Sequence, residues 1–121
     1  MMNKEQALYK FWSSFGVSTY EATSVPDTAA FPRITYEGTT DDFGHSVATT
    51  ISVWSRSSSW VEAEAIKRLI EATITRGGYM QPFDGGAIWI KKANPFAQRL
   101  AEADDDMVRR IVINCEYEFI E

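Results

Sequence analysis

The chain has 121 residues, 45% of them apolar, enough for one core without disulfide staples. A net charge of −5 and a pI near 4.9 argue against a nucleic-acid grip, which needs a basic footprint. The one cysteine, Cys115, closes no internal disulfide and fits a reducing compartment; no apolar run approaches the roughly 20 residues of a membrane span, so no membrane partner is expected.

Asn3 to Phe15 predicts a first helix. Asn3 with Gln6 is a cap, and Leu8, Phe11, Trp12 and Phe15 share one face before Gly16 marks the exit. Val17 to Ala30 has no clear period, and Pro26-Asp27 reads as a turn. Phe31 to Thr39 reads as a strand, with Ile34 and Tyr36 on one side and Arg33, Thr35 and Glu37 on the other. Thr40 to Ser46 is a polar turn. Val47 to Trp54 is a second strand, paired antiparallel to the first, with Val47, Thr49, Ile51 and Val53 on one face.

Ser59 to Gly78 carries the strongest helical signal. Ser59 and Glu62 have the spacing of a capping box, and Ala63, Ile66, Leu69, Ile70, Thr73 and Ile74 form the apolar face. Glu64 and Arg68 are placed for an ion pair, and Gly77 for the stop. Tyr79 to Phe83 reads as a short extended piece, Asp84-Gly85-Gly86 as a turn, and Ala87 to Lys91 as a third strand. Lys92 to Asp106 breaks the pattern at Asn94-Pro95; it reads as a long connection, mobile in the free subunit, with a short helix possible over Ala97 to Ala103. Met107 to Ile120 is the last strand, with Ile111, Ile113, Cys115, Tyr117 and Phe119 alternating with Arg110, Val112, Asn114, Glu116 and Glu118. The expected fold is a single α+β domain over residues 1–121, in the order α-β-β-α-β-β. Its four-stranded, mostly antiparallel sheet is packed on one face by two main helices.

A search for catalytic chemistry finds little, and no enzyme, cofactor or metal site is predicted. His45 is the only histidine and lies in a polar turn beside Asp41 and Asp42. Cys115 alternates with core residues and reads as a buried structural thiol. Asp104, Asp105 and Asp106 lack the glycine and distal glutamate of a calcium loop and read as a solvated acidic turn. The glycine pairs match no phosphate-loop pattern, Arg109-Arg110 is too small for a nucleic-acid patch, and Trp54, Trp60 and Trp89 read as core.

Several segments in one unbroken order resemble the tail-terminator family of long-tailed, siphovirus-type bacteriophages and prophages. They are Phe31-Pro32-Arg33-Ile34-Thr35-Tyr36, Asp41-Asp42-Phe43-Gly44, the run from Val53 to Trp60, the run from Phe83 to Ile90, Pro95-Phe96-Ala97-Gln98-Arg99 and the run from Asp105 to Arg110. The resemblance implies an α+β fold and a virion structural protein. Such a protein forms a homohexameric ring on the head-proximal end of the tail tube, stops tube growth and offers a head-joining surface. The implied partners are other copies of the chain, the major tail tube protein and a head-completion or connector protein, with DNA only passing through the lumen. The implied location is the host cytoplasm during assembly and then the virion tail. Two loops are expected to supply contacts: Asp41, Asp42 and Phe43 in one, Phe96, Arg99 and Leu100 in the other. The alternatives are another head–tail joining protein of the same fold, or a small cytosolic binding or enzymatic α+β domain using the Asp41–His45 loop.

Overall fold

The computed structural model describes residues 2–38, 46–101 and 107–121, Ala101 by its backbone alone. The element order is α1 (Lys4–Ser13), β1 (Ser18–Glu21), β2 (Arg33–Tyr36), β3 (Val47–Arg56), α2 (Val61–Thr73), β4 (Tyr79–Phe83), β5 (Gly86–Ala101) and β6 (Val108–Ile120). The six strands form one sheet in the order β1-β2-β3-β6-β5-β4. β1 and β2 pair parallel, and every other neighbouring pair is antiparallel. This corrects the expected four-stranded sheet and its α-β-β-α-β-β order: the sheet is six-stranded and mixed, curls into a half-barrel with two helices, and makes the chain mostly β.

The curl follows from one helix touching both margins. Laid flat, six strands about 4.8 Å apart would hold β1 and β4 about 24 Å from each other. A helix is only about 10–12 Å wide. Yet α1 packs against β1, β2 and β4 together, so the sheet must bend around it, while α2 covers β3 and β6. The side chains that make this possible are those the sequence marks. Leu8, Phe11 and Trp12 of α1 are buried, and Asn3 and Gln6 form the reciprocal cap, with hydrogen bonds of 2.8 and 2.9 Å. From β6, Ile111, Ile113, Cys115, Tyr117 and Phe119 face the same core, as alternation requires. At its centre the Trp12 Nε1–H donates to Tyr117 Oη at 2.8 Å, and both residues are fully buried.

Two strands escape a reading by pattern. β1 is four residues long, too short to show a period, and its parallel partner lies across the connection 22–32. The predicted turn is there, closed by the Ala29 amide on the Pro26 carbonyl. β5 is the larger correction. Lys92 to Ala101 is not a loop or a helix but the second half of a sixteen-residue strand paired with β6. Pro95 has no amide to give, and the register shifts between Lys92 and Ala97. The Asn114 side chain of β6 fills the gap by donating to the Pro95 carbonyl at 2.9 Å.

α2 is shorter than the apolar face predicts. The Ser59–Glu62 capping box does not form. Ser59 Oγ accepts from the Val61 amide, and Glu62 accepts instead from Ser55 Oγ at 2.7 Å. The helix ends at Thr73 rather than near Gly77, where the β-branched run Thr73-Ile74-Thr75 disfavours another turn and Ile74 turns into the core. Ala63, Ile66 and Ile70 are buried, but Leu69 is 53% exposed because α2 covers only β3 and β6. Each buried isoleucine contributes roughly 1.5–3 kcal/mol. Gly78, at φ 84°, lets the Trp89 indole lie against the turn, where any Cβ would collide with it.

Replacing Tyr117 by Phe will leave the Trp12 Nε1–H buried without its partner. Denaturant unfolding followed by tryptophan fluorescence should show a loss of about 1–3 kcal/mol, with the far-ultraviolet circular dichroism of the folded state unchanged.

Candidate interaction surface

No group of three or more His, Cys, Asp or Glu side chains that could hold a metal occurs among the described residues. Cys115 is fully buried, and burial pushes its thiol up to about 12, so it is a structural thiol as its alternation predicts. Burial likewise raises the Tyr117 phenol, against the opposing pull of the Trp12 hydrogen bond. No described helix is long and apolar enough to cross a membrane. His45, Asp41, Asp42 and Phe43 lie outside the described residues, as does the run Asp104–Asp106.

The surface chemistry that does emerge is cation on aromatic. Both helices pack on one side of the sheet, so the other side is open. On that side the ladder places Arg33, Trp54 and Arg110 opposite one another on β2, β3 and β6. The Arg110 and Arg33 guanidinium carbons lie 4.6 and 5.7 Å from the Trp54 ring centre, and Arg33 also lies 4.3 Å from the Phe31 ring. Trp54 Nε1 donates to Thr35 Oγ1 at 3.0 Å, Arg110 Nε to Ser52 Oγ at 3.1 Å, and an Arg33 amine to the Ala29 carbonyl at 3.1 Å. Arg33, Thr35, Ser52, Trp54 and Arg110, with Thr50 and Glu37, line a hollow of about 380 Å³. The Arg33 Nε–H is buried and has no hydrogen-bond partner among the described residues.

The predicted contact residues separate. Phe96 is half-buried against the core, with Lys92 Nζ 5.2 Å from its ring centre. Arg99 points to the helix side, where it bonds Glu64 Oε1 through Nε and through a terminal nitrogen, each at 3.0 Å, and lies 4.8 Å from the Trp60 ring centre. Glu64 thus pairs with Arg99 and Lys67 rather than with Arg68; burial pushes its pKa up, but these cations outweigh that and the net direction is down. Leu100 pairs with Arg110 on the open side and is 42% exposed. Alternation along β5 therefore puts Arg99 and Leu100 on opposite faces.

Trp54 and Trp89 stand on the open side rather than in the core, and Trp60 is half-buried between Arg99 and Arg109. The Arg33–Trp54–Arg110 row went unnoticed in the sequence. The signal was present only in part: alternation assigns each residue its face, but the row needs the register.

No protein-family model and no curated protein sequence matches the chain. A solved structure does. The chain is similar to one in the virion of a native gene transfer agent particle, with a TM-score of 0.64, over 98% of this chain and 92% of that one. At 15% identity the likeness is one of fold.

Two measurements check this description. Iodoacetamide at pH 8 should leave Cys115 unmodified in the folded chain and modify it once guanidinium unfolds the protein, because a thiol pushed up to about 12 is almost wholly protonated there. Arg99→Ala should cost roughly 0.5–1.5 kcal/mol in denaturant unfolding, since Arg99 is half-exposed and its ion pair is screened while its contact with Trp60 adds a little.

Proposed function

We propose that the chain is a virion structural protein of a phage-type particle, and that it caps the head-proximal end of a tail tube as a ring. The observation that carries this reading is the end-to-end likeness of fold to a chain of a gene transfer agent virion, over 98% of this molecule. The ordered sequence resemblance to tail terminators supports the finer role. The proposed work is assembly, not catalysis, and needs no cofactor.

A cap needs two unlike surfaces, one that matches the tube end and one that refuses a further tube subunit. The molecule has unlike faces: a side covered by α1 and α2, and an open sheet side where the tryptophans Trp54 and Trp89 are flanked by cations. Tryptophan and arginine are the residue types that most often anchor interfaces. In this reading the open side is a docking face for a tube or connector subunit, identical copies close the ring through heterologous contacts, and an acidic lumen repels passing DNA.

The test is particle assembly in a host that lacks the protein. Without it, electron microscopy should show tails of irregular length that fail to join heads, and restoring the native chain should cure both defects. Trp54→Ala and Leu100→Asp should restore them poorly while their purified forms stay folded. Uniform tails joined to heads in the absence of the protein would overturn the reading.

A further inference from the structure

Two separate hollows carry opposite charge. The first, about 440 Å³, lies between α1 and the β1–β2 margin, and among the described residues no cation lines it. It holds Glu5, Glu21 and Tyr36. Glu21 is fixed in place: its carboxylate accepts from the Thr23 amide at 3.0 Å, the Gly38 amide at 3.3 Å and the Thr23 hydroxyl. Tyr36 is 94% buried, and its hydroxyl, at this wall, has no hydrogen-bond partner among the described residues. Two carboxylates and a phenol oxygen together suit an ammonium or guanidinium group. Burial first, then the nearby Glu21 and Glu5, raises the Tyr36 phenol, which keeps it in its neutral form there.

The second hollow, also about 440 Å³, lies over β5 and β6 beside the turn that precedes β4 and is lined by Arg76, Trp89, Lys91 and Lys92, with Glu116 its one carboxylate. Trp89 Nε1 donates to the Gly77 carbonyl at 2.8 Å and so pins the turn that presents Arg76. Lys91 is engaged by Glu118 at 3.4 Å and by Ser46 at 2.8 Å. Arg76 and Lys92 are exposed and have no carboxylate partner among the described residues; Lys92 pairs with the core-facing Cys115, so it stands on the helix side of β5 with its Nζ 5.2 Å from the Phe96 ring centre.

We propose that the Arg76–Lys92 corner of one copy docks into the Glu5–Glu21–Tyr36 hollow of a second copy of this chain. This inference rests on the ring reading above and names its contact. The occupant follows from charge. A chain of net −5 repels its own copies over most of its surface, and a local complement fixes where they meet. The two patches differ, so the contact is head-to-tail and can be repeated around a closed ring. Exposed ion pairs are individually weak, so the pairing sets register and orientation while neighbouring apolar contacts supply the rest.

Charge reversal in the full chain tests it. Self-association is read by light scattering and sedimentation up to about 1 mM chain, the range of weak contacts. Glu5→Lys alone, and Arg76→Glu with Lys92→Glu, should each weaken it about tenfold or more. The chain carrying all three should recover most of the loss. Raising salt from roughly 0.05 to 0.5 M should weaken the native contact. A zero-length carbodiimide should join Glu5 or Glu21 of a light copy to Lys92 of an isotopically heavy one. Circular dichroism checks folding, since Glu5, Arg76 and Lys92 are all exposed. Association that ignores both reversals, a triple variant no better than either parent, or a chain that stays monomeric throughout would overturn the proposal. So would particle assembly sensitive to Glu5→Lys but not to Arg76→Glu with Lys92→Glu, which would point to another protein's basic segment. Failure of the ring reading shows separately, as normal tails in the absence of the protein.

Discussion

The hydrogen bond from Trp12 to Tyr117 is the constraint on which the rest of the structure depends. An indole N–H and a phenol O–H are brought together in a core that is otherwise almost entirely hydrocarbon. Either group alone would be costly to bury; paired, they specify one seating of α1 on β6. That seating matters because α1 is the element that both margins of the sheet touch. With α1 fixed over the middle of the sheet, β1 and β4 can reach it only if the sheet curls. The curl then decides what lies on the outside. It turns the open side outward with its row of Arg33, Trp54 and Arg110, and it leaves the acidic hollow at the β1–β2 margin and the basic one over β5 and β6 beside the turn 75–77.

The open face manages a conflict between exposure and solubility. Bare tryptophans on a sheet are an invitation to nonspecific association. Here the flanking guanidinium and ammonium groups cover the Trp54 and Trp89 rings, while the polar floor of Thr35 and Ser52 satisfies the indole N–H of Trp54 and the Nε–H of Arg110. Even Val112, on this side of β6 between Ser52 and Gln98 in the ladder, is only 8% exposed. Such a face is held in a defined shape before any partner arrives. A preorganised aromatic and arginine surface loses little side-chain entropy on docking.

Much of the core was legible in the sequence, and the reasons are specific. β6 places Ile111, Ile113, Cys115, Tyr117 and Phe119 at every second position over nine residues, and α1 combines a capping pair with an aromatic face, so both were read with the right partners inside. β2 and β3 were likewise paired antiparallel as expected. The second half of β5 was not legible, because Asn94-Pro95 is a breaker by local rules. Only the partner strand, with Asn114 bridging the gap, turns the break into a bulge. β1 was hidden for a different reason: four residues in a parallel pair leave no local trace. The fate of Arg99 shows the same limit at the candidate site. It looked like a loop anchor, yet its partner Glu64 stands thirty-five positions away on α2, and no local spacing encodes that contact.

The margins of the sheet also bear on how copies can meet. An exposed edge strand is a template for another strand, and a protein that ends a polymer must not offer one freely. β1 is only four residues long, and β4 is five residues long and contains Pro82, which has no amide for a ladder. Beyond Ile90, where β4 stops, β5 carries its own proline and a register shift along the margin. None of these edges suits indefinite strand addition. In the proposed ring, contact between copies would be left to side chains, which can be charged, directional and different at the two hollows. Backbone pairing accepts almost any extended chain, whereas a basic corner seated on two carboxylates and a phenol accepts a partner only in one orientation. A closed ring needs that discrimination, since each added copy must repeat the same rotation until the last meets the first.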